Sequence, residues 1–232
     1  MDIKKNLEFI NLQIEDAKKR VGRTDEVLLL AVTKTVDYEL IDKAISLGIN
    51  DIGENKPQEL VKRMNHYGDK LNYHQIGSLQ TNKVKYLYKN TKLIHSLDRL
   101  SLAKEINKRA KRDDLIVDCL VQVNVSKEET KSGIYLEDLE EMIEKFLEFP
   151  HIKIRGLMTM APYTDDEKIL RNVFGKTYNA ARSIEQNNYE NLTMEFLSMG
   201  MTHDYQIAVE EGANIVRVGT AIFGERDYSK KI

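Results

Sequence analysis

Several residues of this 232-residue chain are of types that could carry out carbonyl and phosphate chemistry. Lys34 directly follows the apolar run EVLLLAVT at residues 26–33. A lysine amine that is partly removed from water has a lowered pKa, and the neutral amine attacks carbonyl carbons to form Schiff bases. A lysine at the end of a strand can equally extend into solvent, so position alone leaves both interpretations open.

Two segments near the C-terminus offer groups that bind anions. The sequence SMGMT at residues 198–202 and the pair GT at residues 219–220 each combine a glycine with a hydroxyl and backbone N–H groups. Arg217 lies two residues before Gly219, so on a strand both face the same side. Arg217 could bind a phosphate, pair with a carboxylate such as Glu195, or contact a ring nitrogen of a bound cofactor.

The elements that position these residues alternate along the chain. Residues 2–22 place Ile3, Leu7, Ile10, Ile14 and Ala17 at spacings of three and four, which predicts an amphipathic helix. Eight short apolar runs predict strands at residues 26–33, 49–52, 73–77, 93–96, 116–125, 152–160, 194–199 and 215–219. Helical patterns separate them at residues 37–47, 57–64, 82–89, 99–111, 135–149, 167–186 and 202–211.

This alternation predicts the α/β class with a parallel sheet. Eight strand–helix units after an extra N-terminal helix favour a closed (β/α)₈ barrel (a TIM barrel), whose usual size is roughly 250 residues. An open, doubly wound sheet is the alternative, but no G-x-G-x-x-G motif follows the first strand. No linker or repeat interrupts the chain, so residues 1–232 are expected to form a single domain.

In such a barrel the strand ends carry the chemistry. Active sites lie at the C-terminal ends of the strands, and phosphate sites recur after strands seven and eight. Each glycine-containing segment is a weak signal alone, because similar sequences occur in many ordinary loops. Together, at the last two strand ends, they predict a phosphate-binding cup.

Composition excludes several functional classes. The chain carries 35 basic and 37 acidic residues, a formal charge of −2, so no strong field attracts nucleic acid or membranes. The stretch at residues 83–92 is interpreted as a solvated helix face. No stretch approaches the roughly 18 apolar residues of a membrane span, and a cytoplasmic protein is expected. The single cysteine, Cys119, lies in an apolar run and is expected to be a buried structural thiol.

The histidines do not indicate a metal. No cluster around His74 has the spacing of metal ligands, so His74 is expected in the core or behind a site rather than on an ion. The other four histidines receive no role: His66, His95, His151 and His203. No metal is therefore expected.

Longer segments of the chain resemble one known family, the pyridoxal 5′-phosphate (PLP) homeostasis proteins. The matching segments are AVTKT (31–35), IGENKPQE (52–59), YHQIGSLQTNK (73–83), HSLDRL (95–100), VNVSKEETKSGI (123–134), RGLMTMAP (155–162) and FLSMGMTHDYQIAVEEGANIVRVGTAIFGERDY (196–228). They run in family order and cover nearly the whole chain. The combination of SMGM with VRVGTAIFG, after an upstream KT and GEN, is highly specific.

The resemblance implies a barrel like the N-terminal domain of alanine racemase, with PLP held as a Schiff base on Lys34. It implies that Arg217 faces the pyridine nitrogen and that Asn55 and His74 line the pocket. The phosphate cup would comprise Ser198, Met199, Gly200, Gly219 and Thr220. Two departures from the family pattern, Tyr73 for tryptophan and Ser78 for proline, are expected to alter the pocket rim.

The resemblance also separates a binding protein from an enzyme. An arginine at the ring nitrogen disfavours a charged pyridinium, which weakens the electron sink that PLP catalysis requires. Racemases of this barrel type take a second base from an additional domain, which is not expected here because only twelve residues follow Thr220. We therefore expect a non-enzymatic PLP carrier acting in vitamin B6 homeostasis, with PLP-dependent apoenzymes as recipients.

Two alternatives remain open from the sequence. The first is a PLP-dependent enzyme, such as a weak amino-acid racemase or lyase. The second is a Schiff-base aldolase that acts on a phosphorylated sugar without PLP.

Overall fold

The eight apolar runs form eight parallel strands that close into a barrel. The computed structural model describes residues 2–128, 130–187 and 189–224. The strands neighbour one another in chain order, and β1 pairs with β8 from Leu28↔Ile215 to Ala31↔Val218. Their bounds are β1 Leu28–Val32, β2 Asp51–Glu54, β3 Asn72–Gln75, β4 Leu93–Leu97, β5 Val117–Val123, β6 Ile152–Thr159, β7 Leu192–Ser198 and β8 Ile215–Val218. The closed barrel is confirmed, and the open sheet is excluded.

Helices cover the outside of the barrel. They are α1 Ile3–Arg20, α2 Tyr38–Ser46, α3 Pro57–Tyr67, α4 Leu100–Arg112, α5 Leu139–Leu147, α6 Glu167–Glu185, α7 Tyr205–Glu210 and α8 Thr220–Phe223. Short 3₁₀ helices occupy Gly68–Lys70, Thr81–Tyr86 and Leu136–Asp138. The extra N-terminal helix is confirmed: α1 buries its predicted apolar stripe against α2, α7 and α8. It thereby covers the seam at which β8 meets β1.

Two predicted helices differ from the structure. The segment predicted as a helix at 82–89 is instead the 3₁₀ helix Thr81–Tyr86. Leu87, which caps it, donates its N–H to Val84 O at 3.1 Å, so the buried side chains of Val84 and Leu87 are one three-residue turn apart. A three-residue turn places both on one side. The helix expected from residue 202 begins only at Tyr205, because the Asp204 carboxylate accepts a hydrogen bond from Met201 N at 2.5 Å and holds a turn there.

The core has two layers. Seven buried side chains fill the barrel interior: Leu30, Val32, Ile76, Leu93, Leu120, Met158 and Ile215. A larger apolar layer lies between the strands and the helices and includes the wholly buried Cys119, whose thiol pKa is raised by burial. The structural role expected for this cysteine is confirmed. No helix among the described residues is long and apolar enough to cross a bilayer.

A glycine in β6 lets two strands approach closely. Gly156 has φ +147° at a shift in the register between β6 and β7, and an added Cβ would overlap the carbonyl oxygen of Phe196. Only glycine adopts this backbone conformation readily, so the position combines a steric requirement with a conformational one.

We expect Gly156→Ala to lower the free energy of unfolding by about 3 kcal/mol or more, because it adds overpacking to backbone strain. Gly175→Ala is the matched control. Gly175 lies within α6, and its added Cβ would meet the end of the flexible Glu211 side chain at 3.2 Å. This control should be neutral or more stable by about 0.5–1 kcal/mol. Urea denaturation of both variants tests the pair, and a Gly156→Ala midpoint equal to wild type would show that the close approach of β6 and β7 does not require glycine.

Candidate functional site

The turn that carries Lys34 begins where β1 ends. Val36 N donates to Thr33 O at 3.0 Å, which makes Lys34 and Thr35 the two central residues of a tight turn. Thr35 has φ +62°, a left-handed conformation that favours glycine or asparagine and is uncommon for a β-branched residue. Lys34 itself is half-buried at the C-terminal rim of the barrel. The backbone here is strained, and strain of this kind persists only where surrounding contacts fix it.

Those contacts come from two buried charged residues. Arg63, on α3, donates to the carbonyl oxygens of Thr33 at 3.3 Å and of Val36 at 2.7 Å, one on each side of Lys34. Glu54, at the end of β2, accepts from the Thr33 hydroxyl at 2.7 Å and from Arg63 Nε at 3.3 Å. We call Thr33, Glu54 and Arg63 the turn clamp.

The turn clamp has an electrostatic cost. Burial raises the pKa of the Glu54 carboxyl, while the hydrogen bonds and charge of Thr33 and Arg63 act in the opposite direction. Its second oxygen, Oε2, is buried and has no hydrogen-bond partner among the described residues. Glu54 therefore depends on Arg63 for compensation of its charge.

A second buried cation lies on the strand beside β1. Arg217, on β8, is paired in register with Leu30 and points into the barrel. Its Nη1 donates to Ser198 O at 2.6 Å and to Ser198 Oγ at 2.8 Å, and its Nη2 donates to Thr159 O at 2.8 Å. Burial lowers the pKa of the guanidinium to about 10, opposed by the charge of Asp204, so Arg217 stays protonated at neutral pH.

The carboxylate pairing considered for Arg217 does not occur. Glu195 instead forms an ion pair with Arg155 on the outer surface of β6, and Arg155 also binds Asp118 at 2.6 Å. The structure therefore excludes Glu195 as a partner of Arg217 and leaves the phosphate and the ring nitrogen.

Behind Arg217 lies a row of buried polar side chains that the sequence did not reveal. Ser198 Oγ contacts His95 Nδ1 at 2.9 Å, and His95 Nε2 contacts His74 Nδ1 at 2.9 Å. His74 Nε2 then contacts Asp51 Oδ1 at 3.0 Å, at the lower end of β2. His95, assigned no role from the sequence, is thus a central member of this row.

The two segments predicted to bind phosphate are neighbours. Arg217 N donates to Gly200 O at 3.0 Å, which joins the loop after β7 to β8. Gly219 and Thr220 begin α8, in which the first intrahelical bond runs from Ile222 N to Gly219 O at 2.9 Å. The N–H groups that precede this bond lack intrahelical acceptors, as at any helix start. Gly219 also abuts Val32, two residues before Lys34.

The other predicted site residues occupy different depths. Ser198 turns its hydroxyl into the interior row, Met199 is wholly buried in the outer core, and Gly200 packs against Tyr205 and Ala208 with φ +90°.

Asn55 is exposed at the rim, one strand from Lys34. His74 is buried below the rim with both ring nitrogens engaged. The structure therefore gathers Lys34, Asn55 and the segments after β7 and β8 at the rim, and places Ser198 and His74 beneath it.

The two departures from the family pattern, Tyr73 and Ser78, lie in different parts of the structure. Tyr73 is buried in the outer core, where its hydroxyl donates to Gly68 O at 2.6 Å, so the expectation that it shapes the rim is wrong. Burial raises its pKa to about 12. Ser78 is exposed after β3, and its influence on the rim remains a prediction.

Among the described residues, no group of three or more acidic, histidine or cysteine side chains could hold a metal ion.

Comparison with known proteins places this arrangement in context. The family model "Alanine racemase, N-terminal domain" matches residues 6–227. The pyridoxal phosphate homeostasis protein of Aquifex aeolicus is 46% identical over 218 residues, which cover 93% of this chain and 95% of the relative. PipY of Synechococcus elongatus, solved with PLP bound, is 29% identical with a TM-score of 0.82, covering 96% of this chain and 100% of that chain.

A more distant likeness supports the fold alone. An alanine racemase from Clostridium difficile superimposes with a TM-score of 0.75 at 14% identity, covering 96% of this chain and 57% of that chain. The barrel predicted from the sequence is therefore of the alanine racemase N-terminal type. The chain belongs to the pyridoxal phosphate homeostasis protein family, within the wider group that carries this racemase domain.

Proposed function

We propose that this protein binds PLP through a Schiff base on Lys34 and acts in PLP homeostasis. The observation that carries the proposal is the placement of Lys34 on a clamped turn after β1, beside a strand that carries the buried cation Arg217. Full-length relatives named for PLP homeostasis, and a related structure with PLP bound, support the same cofactor.

The chemistry of the donor groups fits PLP. An amine, a helix start and a protonated guanidinium correspond to the aldehyde, the phosphate and the ring nitrogen of that molecule. The N–H groups at the start of α8, with the loop at Gly200, would hold the phosphate, and Asn55 would lie beside Lys34 at the rim. When bound, PLP supplies a reactive aldehyde and an electron-withdrawing ring.

The residues around Arg217 favour binding over turnover. Arg217 only donates hydrogen bonds, so a ring nitrogen that faces it must accept one and remains unprotonated. The nearest carboxylate in the interior row, Asp51, is separated from Arg217 by two histidines and a serine. The charge of Asp204 also acts on Arg217, but among the described residues Arg217 donates its hydrogen bonds to Ser198 and Thr159 rather than to a carboxylate, and the arrangement therefore supports a carrier more than an enzyme.

The wider role follows from this chemistry. A protein that holds a reactive aldehyde with little turnover limits the free cofactor and passes it to PLP-dependent apoenzymes. We propose that this occurs in the cytoplasm, with no nucleic acid or membrane as partner. The single-domain prediction for residues 1–232 includes residues 225–232, which lie outside the described part of the chain, and it remains a prediction.

Attachment at Lys34 is tested by borohydride reduction followed by peptide mapping. The purified protein should be yellow, and the reduced pyridoxyl label should map to residue 34. Lys34→Ala should lose both colour and label, because the reacting amine is gone. Lys56→Ala, which removes an exposed lysine at the neighbouring strand end, should retain both. A colourless wild-type protein favours the aldolase alternative, and a label at another lysine contradicts the proposal.

The carrier role is tested by incubating the PLP-loaded protein with each common amino acid while chirality and keto-acid release are followed. Turnover should stay well below about one per second, the lower end of typical enzyme rates. A rate at or above that value supports the racemase or lyase alternative instead. The Lys34→Ala variant provides the background rate.

The turn clamp is tested through its buried ion pair. Arg63→Met should destabilise the fold by about 3–5 kcal/mol and reduce the yield of label at Lys34, because it leaves Glu54 buried and uncompensated. The double variant Glu54→Gln, Arg63→Met removes the charge and should recover much of the stability. Lys145→Met breaks an exposed pair with Glu141 and should leave the unfolding midpoint unchanged. Equal effects of Arg63→Met and Lys145→Met would disprove the role of the clamp.

A further inference from the structure

The polar row behind Arg217 runs through the barrel interior from one end to the other. Its four contacts, in order from Arg217 to Asp51, measure 2.8, 2.9, 2.9 and 3.0 Å. Four of its five residues are 0–4% exposed, while the Asp51 side chain is 16% exposed. Asp51 reaches a hollow on the lower face that Leu28 and Asn50 also line. One end of the row is therefore beneath the candidate site, and the other approaches solvent on the opposite face.

The two ends fix the direction of every hydrogen bond between them. A guanidinium carries no acceptor, so Ser198 Oγ must accept from Arg217. An ionised carboxylate carries no donor, so Asp51 must accept from His74 Nε2. The hydroxyl proton of Ser198 is then free to be donated to His95 Nδ1, and His95 Nε2–H is donated to His74 Nδ1. Every donor meets an acceptor when both histidines are neutral and protonated at Nε2.

Other protonation states break the row. If His74 carried protons on both nitrogens, its Nδ1–H would require an acceptor at His95 Nε2, which moves the His95 proton to Nδ1. Ser198 would then accept from both Arg217 and His95, and its own proton would lack a partner within the row. Burial, together with the charge of the nearby Arg217, holds the pKa of His95 well below its usual value, which favours the neutral ring. Burial alone would raise the pKa of Asp51, but hydrogen bonds to the carboxylate, first among them that from His74, lower it, so the carboxylate is ionised.

We propose that His95 and His74 are positioning residues for Arg217, and that the Asp51 carboxylate on the opposite face sets the direction of the row. Through Ser198 they hold the Nη1 edge of the guanidinium in one orientation. This inference rests on the proposed function only in one respect, namely that Arg217 faces the ring nitrogen of bound PLP. The row itself involves residues of this chain alone.

A purely structural role predicts a different response. If these side chains only provide one another with hydrogen-bond partners, a change at Asp51 should affect the stability of the fold without a specific effect at Arg217. If the row is directional, removal of the Asp51 charge should change the tautomers of both histidines and the motion of Arg217, four hydrogen bonds away. The amide of Asp51→Asn can donate as well as accept, so it no longer imposes one direction.

Nitrogen-15 NMR on the full-length protein labelled at histidine and arginine provides the test. In the wild type, His74 and His95 should both be neutral Nε2–H tautomers at neutral pH, and Arg217 should show slow rotation of its guanidinium. Asp51→Asn should produce mixed tautomers and about a tenfold faster exchange of the Arg217 N–H protons, the ratio that corresponds to about 1.4 kcal/mol. Asp118→Asn is the matched control, because Asp118 lies near the start of β5 and pairs with Arg155 outside the row.

Several outcomes would overturn the inference. A wild-type spectrum with either histidine cationic or protonated only at Nδ1 contradicts it, and this measurement needs no variant to fold. An Arg217 signal that responds no more to Asp51→Asn than to Asp118→Asn also contradicts it. Both spectra can be recorded without added PLP, so failure of the row is distinguishable from failure of the Schiff base at Lys34.

Discussion

The structure depends on a positive charge that is held inside the barrel. Arg217 is 4% exposed, and the described groups that it contacts by hydrogen bond are neutral oxygens of Ser198 and Thr159. An isolated buried cation is costly unless hydrogen bonds compensate it. Strands β6 and β7 supply these oxygens to the arginine on β8, so the packing of three strands of the barrel and the retention of this charge are linked. Because these contacts fix the guanidinium, the part of it that they do not cover faces one defined direction.

A second constraint acts on the neighbouring strand, where the turn clamp holds Lys34. Glu54 and Arg63 lie outside the barrel, between β2 and α3. Arg63 binds backbone carbonyls on both sides of the lysine, and Glu54 accepts from the Thr33 hydroxyl. The left-handed Thr35 shows that this backbone is not in its preferred conformation. Three buried charged side chains, Arg217 inside the barrel and Glu54 with Arg63 outside it, thus place a guanidinium and an amine near adjacent strand ends. We propose that this amine and this guanidinium face the aldehyde and the ring nitrogen of PLP.

The barrel could be predicted from the sequence because each strand and each helix is indicated by a pattern of neighbouring residues. Each strand is a short apolar run, and each follows a helical pattern, so the order of elements could be read without side-chain partners. The segment at 82–89 was misassigned because buried residues three or four apart fit an α-helix and a 3₁₀ helix almost equally. Lys34 and Arg217 were identifiable because strand ends form the functional rim of such barrels.

Their supporting residues were not predictable for a physical reason. Ser198 lies 103 residues from His95, and Arg63 contacts backbone atoms about 30 residues away, so no local spacing connects them. A weak signal existed in the strand LIHSL of β4, where a histidine stands at an inward-facing position between aliphatic residues. Arg63 likewise lies next to Met64 and near Leu60, on the side of α3 that faces the sheet. A polar residue in an apolar pattern indicates a buried partner but does not identify it.

The most direct measurement is the protonation state of the pyridine nitrogen in PLP labelled with nitrogen-15 and bound to the full-length protein. If Arg217 donates to that nitrogen, its resonance should be that of an unprotonated, hydrogen-bonded ring at neutral pH, and Arg217→Glu should shift it toward the protonated form. A wild-type resonance typical of a pyridinium would show that the buried guanidinium does not face the ring nitrogen, and would contradict the role proposed for Arg217.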